Sequence, residues 1–372
     1  MGVRSARVSD LLAIRTLADD SAAQVLGSPL QCDRPSPVGL VLRGWYSGMA
    51  NPSRTMVVGR GGCGRGFAQA TARPGRESWD LVRLACLAPD PQSVERVCSE
   101  LLGRICAVAA QSGALRTFAR APAEDGDRLS LLTRHAFRPY ATEITHFGSL
   151  WPLVQAAPDP GPDVRMRLPR DGWDVFSLYC ALTPAMVRHA ECRNLREWTL
   201  AARPQLPGRH PAHRASREVV LGEQGTLLAW IRWQPARASR PQRLDLLIRP
   251  DALDRLPELI RFAAYEQGLD VNSPTLCQTR EYDGRLSSTL DKAGFEPVLR
   301  ETLLVRHTVA RVSERQLLIA ALRAQGLGID ISRYRRGAEA AHQRLASSRE
   351  TEHHYYDRSD RHERINRTRD HR

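Results

Sequence analysis

Hydrophobic positions along the chain switch repeatedly between a period of two and a period near 3.6, the mark of alternating strands and helices. Residues 3–8 alternate and read as a short strand. Ser9 and Asp10 then offer an N-cap before Leu11, Leu12, Ile14 and Leu17, which recur on one helical face. A second helix is expected over 38–49. Residues 55–58 and 67–72 read as strands around the glycine-rich turn 59–66. The apolar run 79–87 reads as a buried strand, ended by Pro89-Asp90-Pro91. Val94, Val97, Leu101, Ile105 and Val108 set a helix over 93–111, with Gly113 at its C-terminal end. A strand over 115–119, a helix over 127–135 and a strand over 137–147 follow.

Residues 155–163 hold three prolines and a glycine and read as a linker. The pattern then restarts. A strand is expected over 164–168 and a helix over 173–191, kinked or broken at Pro184. Residues 203–217 read as a loop, and 218–221 with 227–233 as a hairpin. A strand over 244–248, a helix from Pro250 to about Gln267, a strand over 275–278, a helix over 286–292 and a strand or hairpin arm over 295–306 complete it. The restart carries a sequence signature. Phe137-x-Pro139-x-x-x-Glu143 recurs as Phe295-x-Pro297-x-x-x-Glu301, 158 residues on, and Pro89-Asp90 recurs as Pro250-Asp251, 161 residues on. Similar offsets for separate features imply two copies of one unit of about 150 residues. The expected boundaries are 1–154, a linker 155–163, 164–310, a helical extension 311–346 and a charged, disordered tail 347–372.

Composition narrows the function classes. No run of about 18 apolar residues exists, which excludes a membrane-spanning helix. The chain has 54 basic and 41 acidic residues, net +13, and Lys292 is its single lysine. Acids are interleaved with the arginines throughout, so the charge reads as a solvated surface, and nucleic acid is a third-ranked partner. The eight cysteines form no CxxC pair and sit in apolar stretches, which reads as reduced thiols in a cytoplasm. Cys98 and Cys106, eight apart on one helix, fall on one face as core.

The order strand, two helices, three strands, long helix, strand, helix, strand resembles the GNAT acyltransferase fold. The opening Val3-Arg4-x-Ala6-x-x-x-Asp10-Leu11-x-x-Ile14 is similar to that family's usual start. Lys292-Ala293-Gly294-Phe295-x-Pro297 resembles its closing Gly-Phe turn, with Ala136 in place of the glycine in the first copy. The resemblance covers residues 1–306 as a tandem pair and implies an α+β fold with a mixed sheet in each copy. It implies transfer of an acyl group from acetyl-CoA, or another acyl-CoA, to an amine. The cosubstrate would sit between two splayed central strands, its pantetheine amides paired with strand backbone and its pyrophosphate at a helix N-terminus. In the first copy those positions are Leu87, Ala88, Gln92, Ser93, Val94 and Arg96, and this copy is expected to be the active one. The family's loop glycines are missing from both copies. Its thiolate-protonating tyrosine is replaced by Leu132 and Leu290. A degenerate, non-catalytic scaffold or regulatory module is therefore the second reading. The acceptor, a small-molecule or peptide amine, is not legible, and no membrane partner is expected.

Other motifs add little. Gly59-x-Gly61-x-x-Gly64 matches a dinucleotide fingerprint in form, but a returning strand follows it where a helix is needed. His210 and His213 lack two further ligands, so no metal is expected. Trp230 and Arg232 share one strand face and read as packing rather than a base-stacking platform. Asp80 and Asp245 suit either a general base or a strand-end carboxylate, and no catalytic residue is assigned.

Overall fold

The structure is a computed structural model. It describes residues 2–20, 24–26, 36–45, 53–59, 65–73, 77–155, 157–200, 217–223, 225–236 and 241–308. The first half contains strands β1 (Arg4–Ser5), β2 (Gln24–Leu26), β3 (Ser53–Val58), β4 (Arg65–Ala72), β5 (Ser78–Leu87), β6 (Arg116–Pro122) and β7 (Arg138–Gly148). Its helices are α1 (Leu11–Asp19), α2 (Pro37–Trp45), α3 (Pro91–Gln111), α4 (Gly126–Arg134) and the short α5 (Trp151–Gln155). The second half has strands β8 (Val164–Met166), β9 (Arg217–Glu223), β10 (Thr226–Gln234), β11 (Gln242–Ile248), β12 (Thr275–Arg280) and β13 (Glu296–His307). Its helices are α6 (Gly172–Leu182), α7 (Ala185–Glu191), α8 (Leu195–Leu200), α9 (Leu256–Gln267) and α10 (Gly284–Lys292).

Most periodic segments fold as their patterns require, but the strand expected over 3–8 is only Arg4–Ser5, and Val8 opens a 3-10 turn instead. Pro184 breaks the 173–191 pattern: α6 stops two residues before it and α7 starts just after it. The helix expected from Pro250 opens instead as a 3-10 turn, Pro250–Arg255, before α9. Residues 295–306 form one long strand rather than a hairpin arm. The strands flanking the glycine-rich segment, β3 and β4, pair antiparallel, as a hairpin reading needs. Three short elements, β2, α5 and α8, are additions to the sequence reading. Residues 60–64 of the glycine-rich turn, His210, His213, the 311–346 extension and the 347–372 tail lie outside the described residues. Among the described residues, no helix is long and apolar enough to cross a membrane.

One mixed sheet runs through both halves in the order β1-β3-β4-β5-β6-β13-β7-β12-β11-β10-β9-β8. The halves exchange their last strands. β13, from the second half, lies beside β6 of the first, and β7, from the first half, lies beside β12 of the second. Between them β7 and β13 pair antiparallel with Glu143 opposite Glu301 and Thr142 opposite Thr302. The repeated Phe-x-Pro-x-x-x-Glu motif is thus the centre of a pseudo-twofold arrangement.

Two buried glutamates facing each other across a strand pair would repel. Arginines from the flanking strands resolve this. Arg120 on β6 bonds Glu143 and lies 3.9 Å from Glu301, while Arg280 on β12 reaches Glu143 at 3.3 Å. Burial works against the charge on Glu143, but Arg120, Arg280 and Arg243 prevail and hold its carboxyl below the usual range.

Each half has its own core. In the first, β4 and β5 pack on α3 through Ala68, Leu84, Val97, Leu101 and Ile105, and Leu304 of the exchanged β13 joins them. Cys98 and Cys106 belong to this core, on one face of α3. In the second, Ile231, Leu244, Ile248, Leu256, Ile260 and Phe295 pack together.

Candidate functional site

In each half two neighbouring parallel strands pair at their starts and then part. β5 and β6 pair from Ser78/Arg116 to Asp80/Phe118 only. β11 and β12 pair from Gln242/Thr275 to Asp245/Gln278 only. Beyond those points each pair opens a V, and the two Vs differ in what fills them.

In the first half one edge of the V is taken by the chain itself. β2 pairs with β5 at Leu84 and Ala85, on the edge that β6 has left. Leu87 and Ala88 follow at the end of β5, and Gln92, Ser93, Val94 and Arg96 lie on the opening turns of α3, so the sequence-derived positions do come together. The helix start there is already capped. The Asp90 carboxylate accepts from the Ser93 N–H at 2.8 Å and from the Ser93 hydroxyl at 2.7 Å, and the Val94 N–H goes to the Asp90 carbonyl. Pro91 has no N–H to offer. An internal carboxylate thus holds the place that the resemblance assigns to phosphate.

In the second half the V is open. Among the described residues, no strand pairs with the edge of β11 at 246–248 that faces away from β10. A cavity of about 290 Å³ lies there. Leu246 and Leu247 of β11, Gln278, Thr279 and Arg280 of β12, and Asp283 and Leu286 at the start of α10 line it. Tyr179, Glu191, Glu197 and Trp198 line it from α6, α7 and α8. The exchange brings in Arg120 and Glu143 from the first half. α6 and α8 hold this wall through a chain of ring contacts, Tyr179 to Trp198 at 5.3 Å and Trp198 to Trp230 at 5.7 Å.

Charge in the cavity is dense and mostly paired. Arg193 lies 3.0 Å and Arg280 3.1 Å from Glu191, to which the Tyr179 hydroxyl also donates at 2.8 Å. Burial opposes the charge on Glu191, and these partners outweigh it, so the carboxyl stays below its usual range. Asp245 is clamped by Arg232 at 2.6 Å and Arg243 at 3.1 Å, which hold it far down despite burial. Its counterpart Asp80 pairs with Arg73 at 2.7 Å. Both strand aspartates therefore sit in ion pairs, which suits the strand-end reading better than a base. Two other carboxyls behave differently. Burial raises the proton affinity of Asp283, and it raises that of Glu197 against the pull of Arg193. Burial likewise raises the Tyr282 phenol, partly offset by Arg280.

Trp230 is 3% exposed and its indole donates to Glu218 at 2.7 Å, with the Arg232 guanidinium 5.3 Å from its ring. It is core, as its strand position suggested. Cys86, Cys98, Cys106 and Cys277 are buried free thiols. Among the described residues, no group of three or more His, Cys, Asp or Glu is placed to hold a metal. Sequence reasoning missed Glu197, Thr279, Asp283 and Tyr282. The usable signal was Asp283 itself, which starts the last helix of its half as Asp125 does in the first.

No protein-family model matches the chain, and no curated protein matches it. Solved structures do. A tandem GNAT protein from the clavulanic acid biosynthesis pathway is 14% identical, with a TM-score of 0.49 over 82% of this chain and 98% of that one. A GCN5-related N-acetyltransferase from Sphaerobacter thermophilus is 14% identical, with a TM-score of 0.48 over 82% of this chain and 95% of that one. An acetyltransferase of the GNAT family from Colwellia psychrerythraea is 14% identical, with a TM-score of 0.39 over 83% of this chain and all of that one. At such identities and TM-scores these similarities carry no argument of their own. The chain's own order of elements, repeated once and opening a V between parallel strands in each half, is a tandem GNAT-like fold.

Proposed function

We propose that the second half transfers an acyl group from an acyl-CoA thioester to an amine in the cavity between β11 and β12. The observation that carries this reading is the edge of β11 at 246–248, unpaired among the described residues, which opens onto the cavity. A pantetheine arm is a short chain with two amides, and an open strand edge offers it the N–H and C=O groups it can pair with. The corresponding edge of β5 is taken by β2, and the α3 start by Asp90, so the second half is the fitter site although the loop sequences favour the first. Near the α9 start, Pro250 and Pro257 carry no N–H, and that of Ala252 goes to the Arg249 carbonyl. The arm rather than the diphosphate then supplies most of the affinity. Asp283 and Glu197, with raised proton affinity, suit the removal of a proton from an incoming ammonium group.

One observation favours a non-catalytic ligand-binding reading. Leu290, at the position that the resemblance gives to the thiolate-protonating tyrosine, is fully buried in the core. Calorimetric titration of acetyl-CoA into the full chain, followed by a thiol-release assay with a panel of amines, decides between the two. Saturable binding that Leu247→Trp abolishes, with thiol release for at least one amine, is the expected result. Binding without thiol release for any amine selects the non-catalytic reading. Absence of binding, or binding lost on substituting Gln92 and Arg96 but kept in L247W, overturns the placement in the second half.

A further inference from the structure

Behind the cavity wall, side chains from two elements meet at one imidazole carried by a third. His146, on the exchanged strand β7, is 1% exposed. Its Nε2 lies 3.1 Å from Thr279 Oγ1 on β12 and 3.1 Å from Ser287 Oγ on α10. Its Nδ1 lies 3.4 Å from Asp291 Oδ1, one turn further along α10. Thr279 is part of the cavity wall. Ser287 is half-buried and the Asp291 side chain is 52% exposed, so the far end of the cluster reaches solvent. Polar side chains therefore run from a residue of the cavity wall, Thr279, through His146 to the half-buried Ser287 and the half-exposed Asp291.

The arrangement has the logic of an oriented base. The Asp291 carboxylate, 3.4 Å from an Nδ1 that makes no hydrogen bond elsewhere, favours the tautomer with its proton there, which leaves the Nε2 lone pair facing two hydroxyls. Burial lowers the proton affinity of the ring and Asp291 opposes this, the net being below the usual imidazole value. The ring thus holds a proton less readily than a free imidazole, and its Nε2 can accept one in passing. α10 supplies Asp291 and Ser287, β12 supplies Thr279 and the buried Cys277 opposite it, and β13 opposes it with Pro297.

We infer that Thr279, His146 and Ser287 form a proton exit from the cavity, with Asp291 holding the imidazole in its accepting tautomer. The inference rests on the acyl-transfer reading of that cavity. When an ammonium group becomes an amide, its nitrogen sheds two protons, a C–N bond forms and the C–S bond breaks. One passes by way of Asp283 or Glu197 to the departing thiolate, and the other has to leave. Thr279 Oγ accepts it as its own hydroxyl proton passes to Nε2. The imidazolium, stabilised by Asp291, then gives its Nε2 proton to Ser287 Oγ, whose own proton goes to water. Thr279 is the group that meets the substrate, and His146, Ser287 and Asp291 are positioning residues behind it.

The test is steady-state acyl transfer by the full chain across pH, for the wild type, Thr279→Val, Asp291→Asn and His146→Gln. T279V keeps the shape of its residue, and D291N alters a half-exposed group, so these two report even where H146Q fails to fold. The exit predicts kcat lower by about 100-fold or more in T279V and H146Q, with the KM for acetyl-CoA unchanged. D291N removes the charge that favours imidazolium, so the acidic limb of its kcat–pH profile moves to lower pH. Nitrogen NMR of His146 in the same variant, without substrate, shows loss of the Nδ1–H tautomer. Wild-type kcat and pH profile in both T279V and D291N overturn the exit while the acyl-transfer reading stands. A wild type that binds acetyl-CoA but acylates no amine overturns both.

Discussion

Ala136 and Gly294 occupy the same place in the two halves, and only one of them suits it. Each follows a nine-residue helix, α4 or α10, and precedes the buried Phe137 or Phe295. The hydrogen bonds match. Phe137 N–H reaches the Leu132 carbonyl at 3.1 Å, and Phe295 N–H reaches that of Leu290 at 3.0 Å. Closing the helix this way needs a left-handed residue, with φ of 62° at Ala136 and 83° at Gly294. A Cβ in that region costs about 1 kcal/mol, from which glycine's extra freedom in the unfolded chain subtracts part. Ala136→Gly should therefore stabilise the protein by about 0.5 kcal/mol, and Gly294→Ala should destabilise it by a similar or larger amount. Calorimetric melting checks this, and a Tm for A136G at or below that of the wild type contradicts it. The same turns explain the two leucines. Leu132 and Leu290 are fully buried and brace the turn from the core side, so packing holds the positions that a tyrosine would need for chemistry.

Three residues of β2 decide which V is open, and they are the element hardest to see in the sequence. Gln24–Leu26 is too short to show a period, and its partner β5 lies about sixty residues away. Long elements such as α3 and β5 were legible because their apolar spacing repeats over several turns or pleats. The candidate site was not. Loop glycines and a missing tyrosine speak to helix starts, whereas occupancy of a strand edge depends on pairing with residues far along the chain. Asp90 shows the limit well: in the sequence it belongs to the Pro89-Asp90-Pro91 break, and in the fold it is the cap. The anchor of β2 is Leu26, which is 3% exposed and belongs to the first-half core. Leu26→Ala should destabilise the protein by about 3 kcal/mol, the cost of lost apolar contact plus a residual cavity. Urea unfolding measures it. A loss below about 1 kcal/mol would mean that β2 is not held by this side chain.

Exchange of the last strands makes the two halves dependent on each other in a way that the repeat alone did not reveal. The Phe-x-Pro-x-x-x-Glu repeat showed that a unit recurs, but not that each copy's final strand would lie beside the other copy's penultimate strand. A chain cut at the 155–163 segment leaves the first piece without β13, so β6 loses the strand that covers its edge, and the first-half core loses Leu304. The second piece loses β7, and with it the partner of β12, His146, and the Glu143 carboxylate that Arg280 reaches. Open edges of this length template aggregation unless they are paired. Each piece could escape only by folding its last strand back beside its own penultimate strand, in the place that the exchange gives to the other copy. That return would keep Glu143 beside Arg120 but take Arg280 from it, and would take Arg120 from Glu301. We therefore expect pieces 1–160 and 161–310, expressed separately, to be aggregated or to lack a cooperative melt. Co-expressed, they should assemble into a soluble pair with a single melting transition. A cooperative transition for either piece alone, at the temperature of the intact chain, would show that the last strands are exchanged without being needed.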